Sequence, residues 1–453
     1  MTTSSRVKPS LIHDDIKSTL ISMTLPMLVG MITLMTFSLV DTFFISMLGT
    51  EQLAAISFTF PISFALISLV IGLSIGTSAV IAKALGAGRL TEARTDGQVA
   101  LWLSGVLVAL LAIPGYLFTD TLFSLLGANN TILVYIRQYM DVWFAGAVLL
   151  ALPMVGNAVL RAAGDTKTPS IIMAGSGLVN AVLDPLLIFG LGPIPALGMQ
   201  GAAIATVISW VFGSVLIIYL LVKRDLISTS WIEASQLNLV CRKIMRIGLP
   251  AAGANMLTPL AMAVLTAILA NYGASAVAAF GVGARIESIA CLVVLALSMT
   301  LPPFVSQNYG AGLLGRVQQA YRLCSRFVLL WQLAIYLLLA LLAVPLAKLF
   351  SSEAEVVRII CQFIWIVPLA YGLQGITILT NSSFNALHQP GSALLLSMIR
   401  LFVFYVPLAW LGGKVYGVTG LFIGCVVANI CTAAIAWCWF NRAIQRSQQE
   451  ITT

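Results

Sequence analysis

The chain has 453 residues, of which 60% are hydrophobic and 9% charged, with a mean hydropathy of +1.01. A soluble domain carries about 25% charged residues, so these counts exclude a soluble enzyme, a disordered regulator and a fibrous protein. Most of the surface must face lipid, and at about 20 apolar residues per crossing the length admits roughly twelve membrane helices.

In chain order, apolar runs bounded by Gly, Pro or charge fall at about 16–45, 52–82, 95–118, 131–159, 169–190 and 197–222. A second set falls at about 243–271, 275–304, 320–346, 357–384, 390–412 and 416–440. The ten-residue alternation of a membrane barrel is absent, so the expectation is an all-α integral membrane protein of two six-helix bundles. The N-lobe would cover 1–222, a cytoplasmic linker 223–242 and the C-lobe 243–453. The first apolar run, beginning after Lys17, is too long for the core of a signal peptide and reads as the first span.

With the N-terminus inside, eighteen of the 24 basic residues, from Arg6 and Lys8 through Arg316 to Arg442 and Arg446, fall at inner ends. Four (Arg137, Lys348, Arg358, Lys414) fall outside, while Arg285 and Arg400 lie within spans. This satisfies the positive-inside rule with both termini cytoplasmic, so the net charge of +8 needs no nucleic-acid partner. The histidines His13 and His388 lie at aqueous ends and leave no raw material for a metal cluster or a Ser-His-Asp triad. Seven cysteines without a CxxC pair read as reduced packing residues.

Shifted by 224, the halves overlay. Leu25-Pro26 falls on Leu249-Pro250, Gly49 on Gly273, Gly86-Ala87-Gly88 on Gly310-Ala311-Gly312, and Asn157 on Asn381. Six spans separate the copies, so they share one orientation and are related by a pseudo-two-fold along the membrane normal, a plan used by transporters that rock two halves. The polar join from Lys223 to Lys243 is expected to form a linker helix along the membrane.

Carboxylates in the hydrocarbon region are costly and mark function by default. Asp41 and Asp184 lie about 8–9 Å inside the outer ends of spans 1 and 5 at the helical rise per residue. Asn180, four residues before Asp184, shares its helix face. Tyr139 and Asp141 descend from outside in span 4, and Thr206 in span 6. Two nearby carboxylates cannot both ionise easily in such a cavity, so the set reads as a proton site. The same oxygens could instead hold sodium. The C-terminal half has Leu265 at the position of Asp41, and spans 7 and 10 contain no acid. Glu287 reads as structural, and Arg285 as bonding carbonyls or a neighbouring helix. Pro26 permits a bend in the helix that carries Asp41.

These segments resemble the multidrug and toxic compound extrusion (MATE) family over nearly the whole chain. The matching motifs are Val40-Asp41-Thr42, Ala84-Leu85-Gly86-Ala87-Gly88, the run from Arg161 to Pro169, Asn180-Ala181-Val182-Leu183-Asp184-Pro185 and the run from Gly198 to Ala203. The acids of the first half make it most similar to the DinF-like branch, and unlike the NorM-like branch. The resemblance implies a V-shaped, monomeric, twelve-helix exporter of the bacterial inner membrane. It would exchange inward H+ (or Na+) for cationic or amphipathic drugs, without a cofactor. It further implies Asp41 and Asp184 as coupling carboxylates with Asn180 as partner. Tyr139 and Thr206 would complete the network, Pro26 would be the hinge and Asn157 would line the substrate cavity. For sodium the ligands would be Asp41, Asn180, Asp184 and Thr206. A lipid-linked oligosaccharide flippase shares the plan but wants a basic cavity, for which Arg285 and Arg400 are the candidates.

Overall fold

The structure, a computed structural model, describes residues 10–190 and 195–452; Arg6 and Lys8, assigned above to the inner side, lie outside them. Every regular element among the described residues is helical, as lipid demands: without water, a backbone satisfies its polar groups within its own helix. The first seven spans are α1 (Ile16–Ser46), α2 (Thr50–Gly86), α3 (Leu90–Leu117), α4 (Asn130–Ala162), α5 (Lys167–Ile188), α6 (Gly198–Lys223) and α7 (Ala234–Ala270). Span α8 is broken: Ala274–Ala290 and Leu292–Gly310 meet at 47°. Then come α9 (Leu314–Leu341) and α10 (Ala354–Ala386), the latter tightened to a 3-10 turn at Val367–Ala370 beside Pro368.

The final apolar stretch, Pro390–Gln449, has 60 residues, too long for one crossing of about 20 residues. Tyr416 and Gly417 leave helical geometry there and divide it into α11 (390–415) and α12 (418–449). Within α11, Ile399–Tyr405 is a π-helix. The described residues thus hold twelve crossings.

The chain forms two compact units, one of residues 10–13 and 21–252, the other of 14–20 and 253–452. In the first, α4 is the hub, packed against α2, α3 and α6, while α5 packs on α6. In the second, α10 holds the corresponding position against α9, α12 and the second segment of α8. The repeat is visible in the backbone. Gly88 and Gly312, 224 apart, end their helices at φ of 75° and 74°, a left-handed conformation that costs glycine nothing. The copies stay in step through the next turn: His388 donates to the Asn385 carbonyl as Gly164 does to that of Arg161.

The join forms no separate linker helix. Residues 224–233 are irregular, and the remainder is the opening of α7, which runs unbroken into its span. Its first turns pack into the first unit. Val240, Ile244 and Ile247 belong to that core, and Lys243 Nζ meets Glu92 Oε1 at 2.7 Å. Gly76 and Gly248 let backbones touch, since a Cβ on Gly76 would lie 2.6 Å from the Ile244 carbonyl oxygen. In lipid, close approach of small residues substitutes for the missing hydrophobic drive between helices. The first unit therefore continues through Ala252, whereas the expected linker ended at 242.

Candidate ion-coupling site

Four helices of the first unit build the site. Spans α1 and α5 run side by side in the same direction, stitched along their length. Thr166 Oγ1 donates to the Met23 carbonyl at 2.7 Å. A Cβ on Gly30 would lie 2.9 Å from Ser170 Cα, and the Phe37 ring fills the space over Gly177. One turn further along, Asp41 meets Asp184. The Asp41 and Asp184 carboxyl groups face one another within hydrogen-bonding reach.

Asp184 is wholly buried. Asn180, one turn earlier on α5, turns its amide nitrogen to Asp184 Oδ1 at 3.2 Å and to Thr206 Oγ1 of α6 at 3.4 Å. Thr206 in turn donates to the Ala202 carbonyl at 3.0 Å. Tyr139, buried on α4, faces Thr206 and both carboxylates. The five residues expected to form the network are therefore brought together in one place.

Asp41 Oδ1 and Asp184 Oδ2 are buried and meet no donor. Two carboxylate oxygens turned toward each other are both acceptors, so the contact is favourable only with a proton or a cation between them.

Other expected residues lie apart. Asp141 is half-exposed and pairs with Arg137, one turn earlier on α4, at 3.6 Å, apart from the carboxylate pair. Asn157 is buried with its amide oxygen unpartnered. It stands eighteen residues along α4 from Tyr139, about 27 Å at the helical rise. Pro26 lies inside α1, whose helix continues through it. In the second unit Leu265 is buried in the core. Gln374 Nε2 donates to Glu287 Oε1 at 2.8 Å, and Arg285, expected to bond carbonyls or a neighbouring helix, is exposed.

Sequence reading missed Gly30, Phe37, Ser170 and Gly177, which set the register of α1 on α5. The signal was present: Gly30 and Phe37 are seven apart, as are Ser170 and Gly177, a matched spacing with a small residue facing each partner. Asp96 was also passed over. It is 1% exposed in α3, and both its carboxyl oxygens lack a donor; its place near a span end hid it among the solvated acids.

The chain resembles known proteins over nearly its whole length. The family model MatE matches the chain twice, over residues 26–186 and 250–411, two copies starting 224 positions apart as the Gly and Pro register requires. The chain is 45% identical over 412 residues to a protein of Shewanella oneidensis named FAD transporter, covering 91% of each. It is 25% identical over 443 residues to a probable multidrug resistance protein NorM of Thermotoga maritima, covering 94% of this chain and 92% of that one. Its fold matches the crystal structure of the Vibrio cholerae MATE transporter VcmN in the bent form with a TM-score of 0.91 at 38% identity, over 96% of this chain and 98% of that one. With two copies of the family's module filling most of its length, and with twelve apolar crossings to hold them, the chain belongs to the MatE family and is a multi-pass membrane transporter.

Proposed function

We propose that the protein is a secondary active exporter of the bacterial inner membrane, working as a monomer with both termini in the cytoplasm. Inward movement of H+ drives outward movement of cargo by alternating access, and protonation of the Asp41–Asp184 pair is the coupling step. The observation that carries this reading is the pair itself: two facing carboxyl groups, each with one buried oxygen that meets no donor. Such a pair accepts one proton readily and a second with difficulty, so its occupancy follows the gradient. The orientation of Asn180 supports H+ over Na+, because its amide presents nitrogen to Asp184 and Thr206 where a sodium ion wants oxygen. The acids of the first half also support a reading of the chain as one of the DinF-like branch.

For cargo, the reading is a planar cationic or amphipathic drug. A second reading is favoured by one observation: the relative named FAD transporter stands at 45% identity, the NorM relative at 25%. A flavin dinucleotide offers the same planar body with a pyrophosphate of opposite charge. The half-buried Arg400, over the Tyr405 ring at 5.6 Å, is the candidate contact for that charge.

The test uses everted vesicles carrying wild type or Asp41→Asn, with a proton gradient or a sodium gradient imposed separately. Ethidium and FAD are followed in parallel. Movement driven by protons alone and lost in the variant supports the reading. A sodium requirement replaces the ion. FAD moving without ethidium selects the second cargo, and movement of neither removes the exporter reading in favour of a flippase.

A further inference from the structure

The second unit contains a cavity of ≈ 740 Å³ where the ends of α8, α10 and α12 come together. Its wall includes Tyr309, His388, Gln389, Trp439, Arg442 and Arg446. The size lies within the range of small-molecule sites, about 300–1,000 Å³. Arg442 and Arg446 are one turn apart on α12 and therefore share a helix face. Among the described residues lining the cavity none is acidic. The bland explanation is that these arginines only satisfy the positive-inside rule.

Three observations go further. First, the repeat provides an internal comparison. At the offset of 224, Tyr309 and His388 correspond to Leu85 and Gly164. On α6 and α12 the paired left-handed glycines Gly198 and Gly417 set the offset at 219, so Trp439, Arg442 and Arg446 correspond to Leu220, Lys223 and Ile227. In the first unit Leu85 lines only a small remnant of ≈ 20 Å³, walled mostly by apolar residues such as Ala163 and Leu226, with Arg94 beside them. There the chain folds back after α6, and Ser228 donates to the Arg94 carbonyl. The first unit keeps only that remnant; the second unit has an open cavity lined by two arginines and aromatic rings.

Second, His388 adopts a φ of 58°, where its repeat partner is glycine. A side chain is held in a left-handed turn that the fold can make without one, and such strained positions concentrate at functional sites. Its ring lies 6.4 Å from that of Tyr309, at 29° to it. Third, Ile435 and Cys438 extend the wall along α12, so the cavity has an apolar side toward the span and a cationic side at its end.

We propose that this cavity binds a phosphate-bearing anion, with the Arg442 and Arg446 guanidinium groups on the phosphate oxygens and His388 and Gln389 on the remaining polar wall. Guanidinium suits phosphate because its fork donates two parallel hydrogen bonds. The phosphate can come from the headgroup of an anionic membrane lipid or from a free phosphate, since basic pockets at the ends of membrane helices take both charge and headgroup shape. The site is independent of the coupling reaction and of its cargo.

The experiment uses the purified full-length protein in lipid nanodiscs and in detergent. Native mass spectrometry and thermal melting follow titrations with phosphatidylglycerol, phosphatidylcholine and inorganic phosphate. The variants are the double change Arg442→Gln with Arg446→Gln and, as a control of equal charge on the same side, Arg322→Gln with Arg326→Gln. Both control arginines are exposed on α9 and neither lines the cavity. Phosphatidylglycerol or inorganic phosphate is expected to bind and raise the melting temperature of wild type, with phosphatidylcholine inert. The cavity variant is expected to bind about tenfold more weakly or worse, as the loss of two charge-assisted hydrogen bonds implies. Response to phosphatidylglycerol alone assigns a lipid; response to both assigns the phosphate group itself. Wild type binding none of the probes, or the control variant losing as much affinity as the cavity variant, overturns the proposal. An unchanged circular dichroism spectrum confirms that each variant is folded before it is scored.

Discussion

Asp41 and Asp184 are 143 positions apart in the chain and face each other across two parallel helices, each with one buried oxygen that meets no donor. The contact is unfavourable between two charges and favourable around one proton, which ties the position of α1 to the ionisation of a single pair.

Replacing either acid by its amide removes the titration and keeps the shape. Asp41→Asn and Asp184→Asn are expected to fold and to reduce proton-driven efflux to that of vesicles lacking the protein. Each melting temperature should stay level or rise, because the new amide can donate to the remaining carboxylate. Gradient-driven efflux at wild-type rate in either variant would remove the pair from the coupling step.

The register of α1 on α5 depends on Gly177, over which the Phe37 ring lies. Gly177→Val forces the ring aside, an overpacking that costs about 1–3 kcal/mol, and lifts Asp41 away from Asp184. A clear fall in both melting temperature and efflux is expected. Phe37→Ala added to Gly177→Val should restore part of both. If the double variant is worse than the sum of the singles, the ring and the glycine are not the contact that sets the register.

Much of this was legible in the residues. The twelve spans followed from apolar length, and the repeat from Gly and Pro at a fixed offset. The site followed from acids placed at one depth, since charge in lipid has few innocent explanations. Asn180, Asp184 and Thr206 were found by helical periodicity and depth alone. What escaped was set by packing across helices. The start of α7 joins the first unit because Gly76 and Gly248 admit close backbones, a fact that a polar composition over 223–242 conceals. Asp141 looked like a member of the network because depth along a helix does not give direction around it, and Arg137 one turn earlier claims it.

The loop between α4 and α5 gives a prediction outside the membrane. Burial favours the neutral form of Asp165, but hydrogen bonds from Thr168 and Arg224 outweigh it and hold the carboxyl below its ordinary range. A depressed folded value means that the stabilisation is present above the unfolded value of about 3.9 and is lost as pH falls through the folded value. Asp165→Asn keeps an oxygen for the Thr168 amide, which donates at 2.9 Å, and loses the charge toward Arg224. Both partners are partly exposed, so solvent limits the loss to about 1 kcal/mol or less. Melting curves should separate wild type from Asp165→Asn at pH 7, and the gap should close below about pH 4. A gap that widens with acid would give the shift the opposite sign.

Pro26 leaves α1 one backbone hydrogen bond short without breaking it, which is what a helix needs if it is to bend repeatedly. Proline costs about 3 kcal/mol against alanine in a helix interior, so Pro26→Ala should make α1 stiffer and leave the melting temperature level or higher. The carboxylate pair is fifteen residues further along and stays intact. If bending of α1 follows protonation of Asp41, the variant binds ethidium like wild type in detergent, by fluorescence anisotropy, while proton-driven efflux slows markedly. Loss of binding together with efflux would make Pro26 a packing residue of the cargo site. Efflux at the wild-type rate would show that the two halves exchange access without bending this helix.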